Sequence, residues 1–294
     1  MDYKRCSLVD RQLVYKAFLI GFSDYAVPMT LGIDQFFERF FSLEGNALQD
    51  SFIALNQDEP VGVIFGGIRR FDGYRNLRCG TLCVSPALRG SGVGGELFRL
   101  YLQNGRERNC ERLSLEVLTD NVRALRFYEK RGYRIGNKLI YFRSAPDSSL
   151  SEPSSGQSLF CLPEVDLSVG RAFREEIPSC HIHWQNEAES FSADKTARCF
   201  AAYDHERLVG AVVVSGSGKI YFLRVLEGYR RRGIARALLA RSVERIRLDR
   251  LNISMPDTVE ISPFLESLGF IKETVEQYEM FREVDTPQPL NREQ

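Results

Sequence analysis

The sequence predicts an α/β (α+β) protein of two similar domains, each a mixed, mainly antiparallel sheet flanked by helices. Three observations carry this. The chain has 294 residues, about twice a typical domain of roughly 150 residues and enough for two cores. Short β-rich runs alternate with stretches of helical periodicity in both halves. The pattern of the first half also returns in the second: superposing Arg89 on Arg230 sets an offset of 141 residues, and Gly132-Tyr133 on Gly269-Phe270 sets 137. Two nearly equal offsets argue for duplication of a whole domain. Between the copies lies SAPDSSLSEPSSGQS, residues 144–158, with seven serines and almost nothing to bury, which reads as a linker. The expected domains are residues 1–143 and 159–285, followed by a frayed tail over 286–294.

Each element has a local signal. Leu13, Ala17 and Ile20 recur at helical spacing within Leu8–Gly21, a second helix is expected over Ile33–Phe41, and Pro28 makes the intervening SDYAVP a loop. Ser51–Asn56 and Val61–Phe65 read as strands joined by a turn at QDEP, with Leu77–Val84 as a third strand. Short connections between them predict an antiparallel meander. Val93–Arg106 reads as a helix with Val93, Leu97, Leu100 and Tyr101 on one face. Leu113–Leu118 reads as a strand, Asn121–Arg131 as a helix, and Tyr133–Phe142 as one or two closing strands. In the second half, Ala197–Tyr203 and Leu208–Val214 form a hairpin around DHER, followed by a strand at Lys219–Val225 and a helix at Gly233–Ile246. A strand at Leu251–Ser254 and a helix at Val259–Ser267 complete it.

Composition excludes several classes. Hydrophobic residues at 44% and charged residues at 27% are ordinary for a globular chain, against disorder, collagen or coiled coil. With 39 basic and 39 acidic side chains there is no global field to hold nucleic acid or an anionic membrane, and neither is expected as a partner. Apolar runs such as Leu208–Val214, seven residues, fall far short of the about twenty that a spanning helix needs. The amino terminus mixes charges without an apolar core, and the seven cysteines are scattered and odd in number. Both features fit reduced thiols and a cytoplasmic location.

The first stretch that carries chemistry is Val84-Ser-Pro-Ala-Leu-Arg-Gly-Ser-Gly-Val-Gly-Gly95: a strand broken at proline, a glycine turn and a helix. Such a turn aims backbone N–H groups and the positive helix end at one spot, suited to phosphate or pyrophosphate. Gly90–Gly95 also satisfies G-x-G-x-x-G, the dinucleotide fingerprint. That fingerprint should open a βαβ unit with an acid ending the next strand. Here three meander strands precede it, and the second copy, Arg230-Arg-Arg-Gly233-Ile-Ala235, discards the required glycines. What both copies keep is Arg-x-x-Gly-x-Gly/Ala. Asn121 and Tyr128, seven residues apart in Asn121-Val-Arg-Ala124-Leu-Arg-Phe127-Tyr128, share one face of a two-turn helix and could line one cleft. Read singly they are a helix cap and a core aromatic.

Together, the turn, the Asn-x-x-Ala-x-x-x-Tyr helix and the following Gly132-Tyr133 resemble the GCN5-related N-acetyltransferase superfamily, over almost the whole first domain. The resemblance implies acetyl-CoA as cosubstrate, with its pyrophosphate on Arg89, Gly90, Ser91, Gly92, Val93, Gly94 and Gly95. It implies that Leu82, Cys83 and Val84 lie where the strand splays and meets the pantetheine arm. It makes Tyr128 the general acid for the departing thiolate, with Asn121 beside it, and a small-molecule or peptide amine the acceptor. Ser23, Asp24 and Tyr25 correspond to the acceptor wall. The general base is left open between Glu116 and the Asp24-Tyr25 loop. Cys83 has no histidine in its half of the chain to form a nucleophilic couple.

The second domain departs from the pattern. Leu265 stands where Tyr128 does, and the asparagine is missing. It is expected to be a degenerate copy without turnover. Cys180-His181-Ile-His183 has no second ligand cluster, so no metal is expected; Trp184 beside it suits packing or ligand contact equally. The expected function is acetyl transfer to a primary amine in a ternary complex, in the first domain. The alternative is a CoA-binding regulatory or interaction module.

Overall fold

The computed structural model describes residues 1–25, 30–145, 160–176 and 181–284. The chain forms two compact units, Met1–Gly136 with Glu279–Gln294, and Asn137–Tyr278.

Unit 1 opens with a short strand β1 (Asp2–Arg5), which the sequence does not betray, and helix α1 (Arg11–Gly21), started by Asp10 accepting from Gln12 N–H. Helix α2 (Ile33–Phe37) continues as a π-helix over Glu38–Leu43. The wider turn lets Phe36 meet both Phe40 and Phe41, and Phe37 meet Phe41, at ring separations of 5.0–6.0 Å. These rings pack with Phe18 and Phe65 into the core under α1. The meander follows: β2 (Ala47–Asn56), β3 (Glu59–Phe71) and β4 (Tyr74–Val84) pair antiparallel. Its two tips use left-handed residues, Gln57-Asp58 and Asp72-Gly73, as tight hairpins demand. Helix α3 (Val93–Glu107) then crosses to β5 (Arg112–Leu118), parallel to β4, and α4 (Val122–Glu129) leads into β6 (Arg134–Ser144).

Unit 2 repeats the order with β7 (Glu164–Val165), α5 (Leu167–Glu175), α6 (Ala188–Ala193), β8 (Arg198–Asp204), β9 (Arg207–Val214) and β10 (Lys219–Val225). Next come α7 (Ile234–Ile246), β11 (Asn252–Pro256), α8 (Ser262–Ser267) and β12 (Phe270–Glu283).

The unit boundaries differ from the expected domains. Residues 137–143, expected in the first, belong to unit 2, and residues from Glu279, expected in the second, belong to unit 1. Pairing explains this. Leu139–Arg143 of β6 run antiparallel to β11, and Ile140 and Phe142 enter the core of Val212, Leu238 and Leu239. Burial of two such side chains is worth about 1.5–3 kcal/mol each. In unit 1 the end of β12 lies next to β5, with Met280 fully buried and the Arg112 guanidinium over the Phe281 ring at 4.6 Å. Ser144 is likewise strand rather than linker: its N–H donates to Leu251 O at 2.8 Å. Ala145 is also described, its N–H donating to Gly269 O at 3.1 Å; residues 146–158 of the expected linker and the tail at 286–294 lie outside the described residues. Among the described residues no helix is long and apolar enough to cross a membrane, and the cysteines are free thiols.

Candidate active site

The chemistry-bearing turn of unit 1 has the conformation its glycines predict. Gly90 and Gly92 adopt φ of +86° and +96°, and a side chain at either would meet nothing within 4 Å. Conformation therefore selects glycine there, and the space in front is open. Gly92 caps α3 from the left-handed region, and Glu96 N–H is the first to reach back, to Gly92 O at 3.0 Å. The N–H groups of Val93, Gly94 and Gly95 precede it and have no helical acceptor. Val93 anchors the turn from below, buried. Ser91 closes it through Oγ donating to Leu88 O at 2.7 Å.

Beside the turn the sheet opens. The parallel β4–β5 pairs run only from Asn76–Arg112 to Cys79–Leu115. Leu82, Cys83 and Val84 lie past the last pair and are held on their other side by Ile64, Val63 and Gly62 of β3. An irregularity in the β3–β4 register at Phe65–Gly66 accompanies the parting. Alternate backbone groups of β4 therefore face a wedge. Cys83 itself is buried against Gly21 and Ala17, and burial pushes both its thiol and that of Cys79 up to about 12. Neither is a nucleophile at neutral pH.

Arg89 does not stand free to meet a phosphate. Its Nε donates to Val84 O at 3.1 Å, Nη2 to Gly21 O at 3.0 Å, and Nη1 and Nη2 fork onto Asp24. The guanidinium holds the Asp24 carboxyl below the usual carboxylate range. A second cation beside the turn is Arg131, unforeseen from the sequence. It stacks 3.5 Å over the Phe127 ring, donates to Phe127 O, and lies 3.5 Å from where a side chain on Gly95 would begin. Its position inside the Phe127–Tyr133 motif is the one signal that could have marked it. Ser23 and Tyr25 are exposed beside Asp24, the Tyr25 ring edge-on to Phe22.

Tyr128 is buried among Phe98, Phe127 and Tyr133, and desolvation raises its hydroxyl well above the ordinary tyrosine range, with nearby Cys79 adding to the effect. Asn121 caps α4 by accepting from Ala124 N–H at 3.1 Å. The cap uses its Oδ1 and leaves the Nδ2 donor outside it.

Glu116 differs in character from the other candidates. It is 7% exposed and accepts from Arg78, itself 2% exposed, through Nε and at 2.6 Å through Nη2. Glu44 approaches the same guanidinium at 3.7 Å. The expected base is thus bound up in an ion pair at the point where β4 and β5 part.

Unit 2 keeps the frame and carries Leu265 at the position that corresponds to Tyr128. Arg230 Nε donates to Val225 O as Arg89 does to Val84 O, Gly233 caps α7 at φ +79°, and Arg231 takes the left-handed place of Gly90. β10 pairs with β11 only at Lys219–Ile220. Leu265 is fully buried. His183 hydrogen-bonds Ser254, and among the described residues no three His, Cys, Asp or Glu side chains converge as a metal site. Cys180 lies outside the described residues, and Trp184 is buried.

Residues 16–133 match the model of the acetyltransferase (GNAT) family, and residues 169–281 match an acetyltransferase (GNAT) domain. The chain spans about half the length of the first curated relatives it matches; one, the uncharacterized protein YxbD of Bacillus subtilis, is 30% identical over 31% of this chain and 54% of its own. The PanD regulatory factor of Salmonella typhimurium is 38% identical over 33% of this chain and 82% of its own. A GCN5-related N-acetyltransferase from Sphaerobacter thermophilus superposes with a TM-score of 0.71 at 18% identity, covering 97% of this chain and 96% of its own.

Proposed function

The chain belongs to the GNAT acetyltransferase family, as a member with two such domains, and on that premise we propose that unit 1 transfers acetyl from acetyl-CoA to a primary amine while both are bound. Acyl transfer is the chemistry of the family. The observation that carries the assignment to unit 1 is the coincidence there of an open turn, a wedge between strands and a protonated tyrosine.

The residues present fit the cosubstrate. Open space before Gly90 and Gly92 admits a pyrophosphate against the free N–H groups of Val93, Gly94 and Gly95. Arg131 adds positive charge at that end. Leu82, Cys83 and Val84 offer backbone partners along the wedge, and Asn121 Nδ2 a further donor. Acetyl-CoA supplies an acyl thioester. The chain holds it still and directs N–H groups at the carbonyl oxygen, where charge develops. Tyr128 stays protonated through neutral pH and gives its proton to the leaving sulfur. Ser23, Asp24 and Tyr25 form the acceptor wall. Glu116 serves this site by holding Arg78 where the strands divide, and the amine loses its proton to water or the loop.

A regulatory reading has one observation in its favour, the relative named a PanD regulatory factor. Release of CoA thiol over a panel of polyamines, aminoglycosides, amino acids and peptide amino termini separates the two. Turnover with any amine supports the enzyme; tight CoA binding without turnover supports the module. Gly92→Glu places a side chain at φ +96° and an anion in the anion site, and is expected to abolish CoA binding at the unit 1 turn under either reading.

A further inference from the structure

His183 and Ser254 form a couple inside unit 2 that the reading above leaves unused. His183 Nε2 lies 2.8 Å from Ser254 Oγ, with the imidazole 1% exposed and the serine half-buried. The position of Ser254 in the sheet sets it apart. It is the first residue of β11 beyond the last β10–β11 pair, Ile220–Ile253, as Glu116 is the first of β5 beyond Cys79–Leu115. Past Ile220 the edge of β10 toward β11 is unpaired, so alternate N–H groups face the wedge. Asn186 Nδ2 donates to Ser254 O at 3.0 Å, while its Oδ1 is buried with no partner among the described residues. A buried acceptor without a donor marks a place for a ligand or a water. Leu265 supplies no proton here, so any acyl chemistry in this unit needs another proton carrier.

We propose that unit 2 is a second acyl-transfer centre, in which Ser254 Oγ accepts an acyl group from an acyl thioester with His183 as its base. This rests on the family reading, because the Gly233 turn is the thioester's seat. In the step, Ser254 Oγ bonds to the carbonyl carbon and its proton passes to His183 Nε2. The carbon–sulfur bond breaks, the sulfur takes that proton, and an O-acyl serine and a free thiol result with no change of oxidation state. The unpaired N–H groups of β10 stabilise the oxyanion. Asn186 Oδ1 accepts from an amide N–H of the bound thioester.

The test uses the full chain, acetyl-CoA and no amine, read by intact mass and peptide mapping. The expected result is a single adduct of about 42 Da, one acetyl ester on serine, mapped to Ser254. It persists in Tyr128→Phe, disappears in Ser254→Ala, and forms at least about tenfold more slowly in His183→Gln, as loss of a general base requires. Mapping on the unaltered protein makes the result independent of how the variants fold. Unmodified Ser254 in protein that still shows amine-dependent CoA release overturns this proposal and leaves unit 1's function standing. Absence of both adduct and release overturns both. An adduct mapped to another residue also overturns it.

Discussion

The Arg89 guanidinium forks onto the Asp24 carboxylate, Nη1 to Oδ2 at 2.6 Å and Nη2 to Oδ1 at 2.7 Å. Two parallel charge-assisted bonds fix orientation as well as distance. They tie the loop after α1 to the turn before α3, and the Nη2 bond to Gly21 O holds the helix end to the same group. The fork therefore couples the position of the loop after α1 to that of the turn before α3. Arg230 makes the equivalent Nε bond in unit 2, so the anchor to the strand recurs in both units.

Asp24→Asn loses one charge and one acceptor of the fork. It is expected to raise KM for the amine several-fold, about what one charged hydrogen bond contributes, with KM for acetyl-CoA within about twofold. Arg89 lowers the Asp24 pKa, so the paired form is stabilised above the ordinary carboxyl range and lost only as pH falls through the depressed value. The amine KM should then show no step attributable to Asp24 between about pH 5 and 8. Initial rates with each substrate varied across that range check both statements; unchanged amine KM in Asp24→Asn removes the loop from acceptor binding.

Tyr128→Phe keeps the ring among Phe98, Phe127 and Tyr133 and deletes only the hydroxyl. Turnover should fall by about 10²–10⁴, the range for a positioned general acid, with acetyl-CoA affinity retained. Because burial raises this hydroxyl above 10.0, it remains protonated and able to donate up to that pH. The unaltered protein should show no descending basic limb from Tyr128 below about pH 10. Single-turnover rates and calorimetric CoA titration of both proteins test this.

The turn was legible because its requirement is local: Gly90 and Gly92 must be left-handed, and only the residues themselves decide that. The meander and α3 were legible for the same reason, through hairpin tips and an apolar face. The Asp24–Arg89 fork was not, because its partners stand 65 positions apart and each has an independent local reading. β1 carries only DYKR, whose strand character comes from pairing with β2. The exchange of β6 and the end of β12 between units was equally hidden. Alternation shows that a stretch is a strand and leaves its partner undetermined. Arg78 could have been suspected, as the one charge within Leu77–Val84, facing a strand that carries Glu116.

Glu116→Gln separates a brace from a base. The pair with Arg78 is buried on both sides, and removing one partner strands a charge, which costs about 3–5 kcal/mol. The low end is expected here, since Glu44 still approaches Arg78 at 3.7 Å. Adding Arg78→Met should recover most of that loss, because an apolar replacement of both partners needs no desolvated charge. A base would behave otherwise: the single variant would unfold like the parent in urea yet lose about 10²–10⁴ in turnover. Urea titration and kcat on the single and double variants decide between the two.

The end of the chain should matter to chemistry more than 130 positions earlier. Met280 is fully buried beside β5, and its truncation to alanine should cost about 2–5 kcal/mol. Arg282 Nη1 donates to Arg131 O at 2.7 Å and packs under Gly132. It thereby fixes the exit of α4, the helix that carries Tyr128 and sets Arg131 beside Gly95. Arg282→Ala exposes that carbonyl to water and lets the helix end move. A displacement of about 1 Å at a reacting group can cost 10²-fold, so kcat should fall with only a small change in Tm, and acetyl-CoA binding should weaken through Arg131. Met280→Ala should instead lower Tm and leave kcat of the folded fraction near the parent's. Opposite patterns in the two variants would show that the end of β12 orients the site rather than merely sealing the sheet; identical losses of stability and turnover would reduce it to a seal.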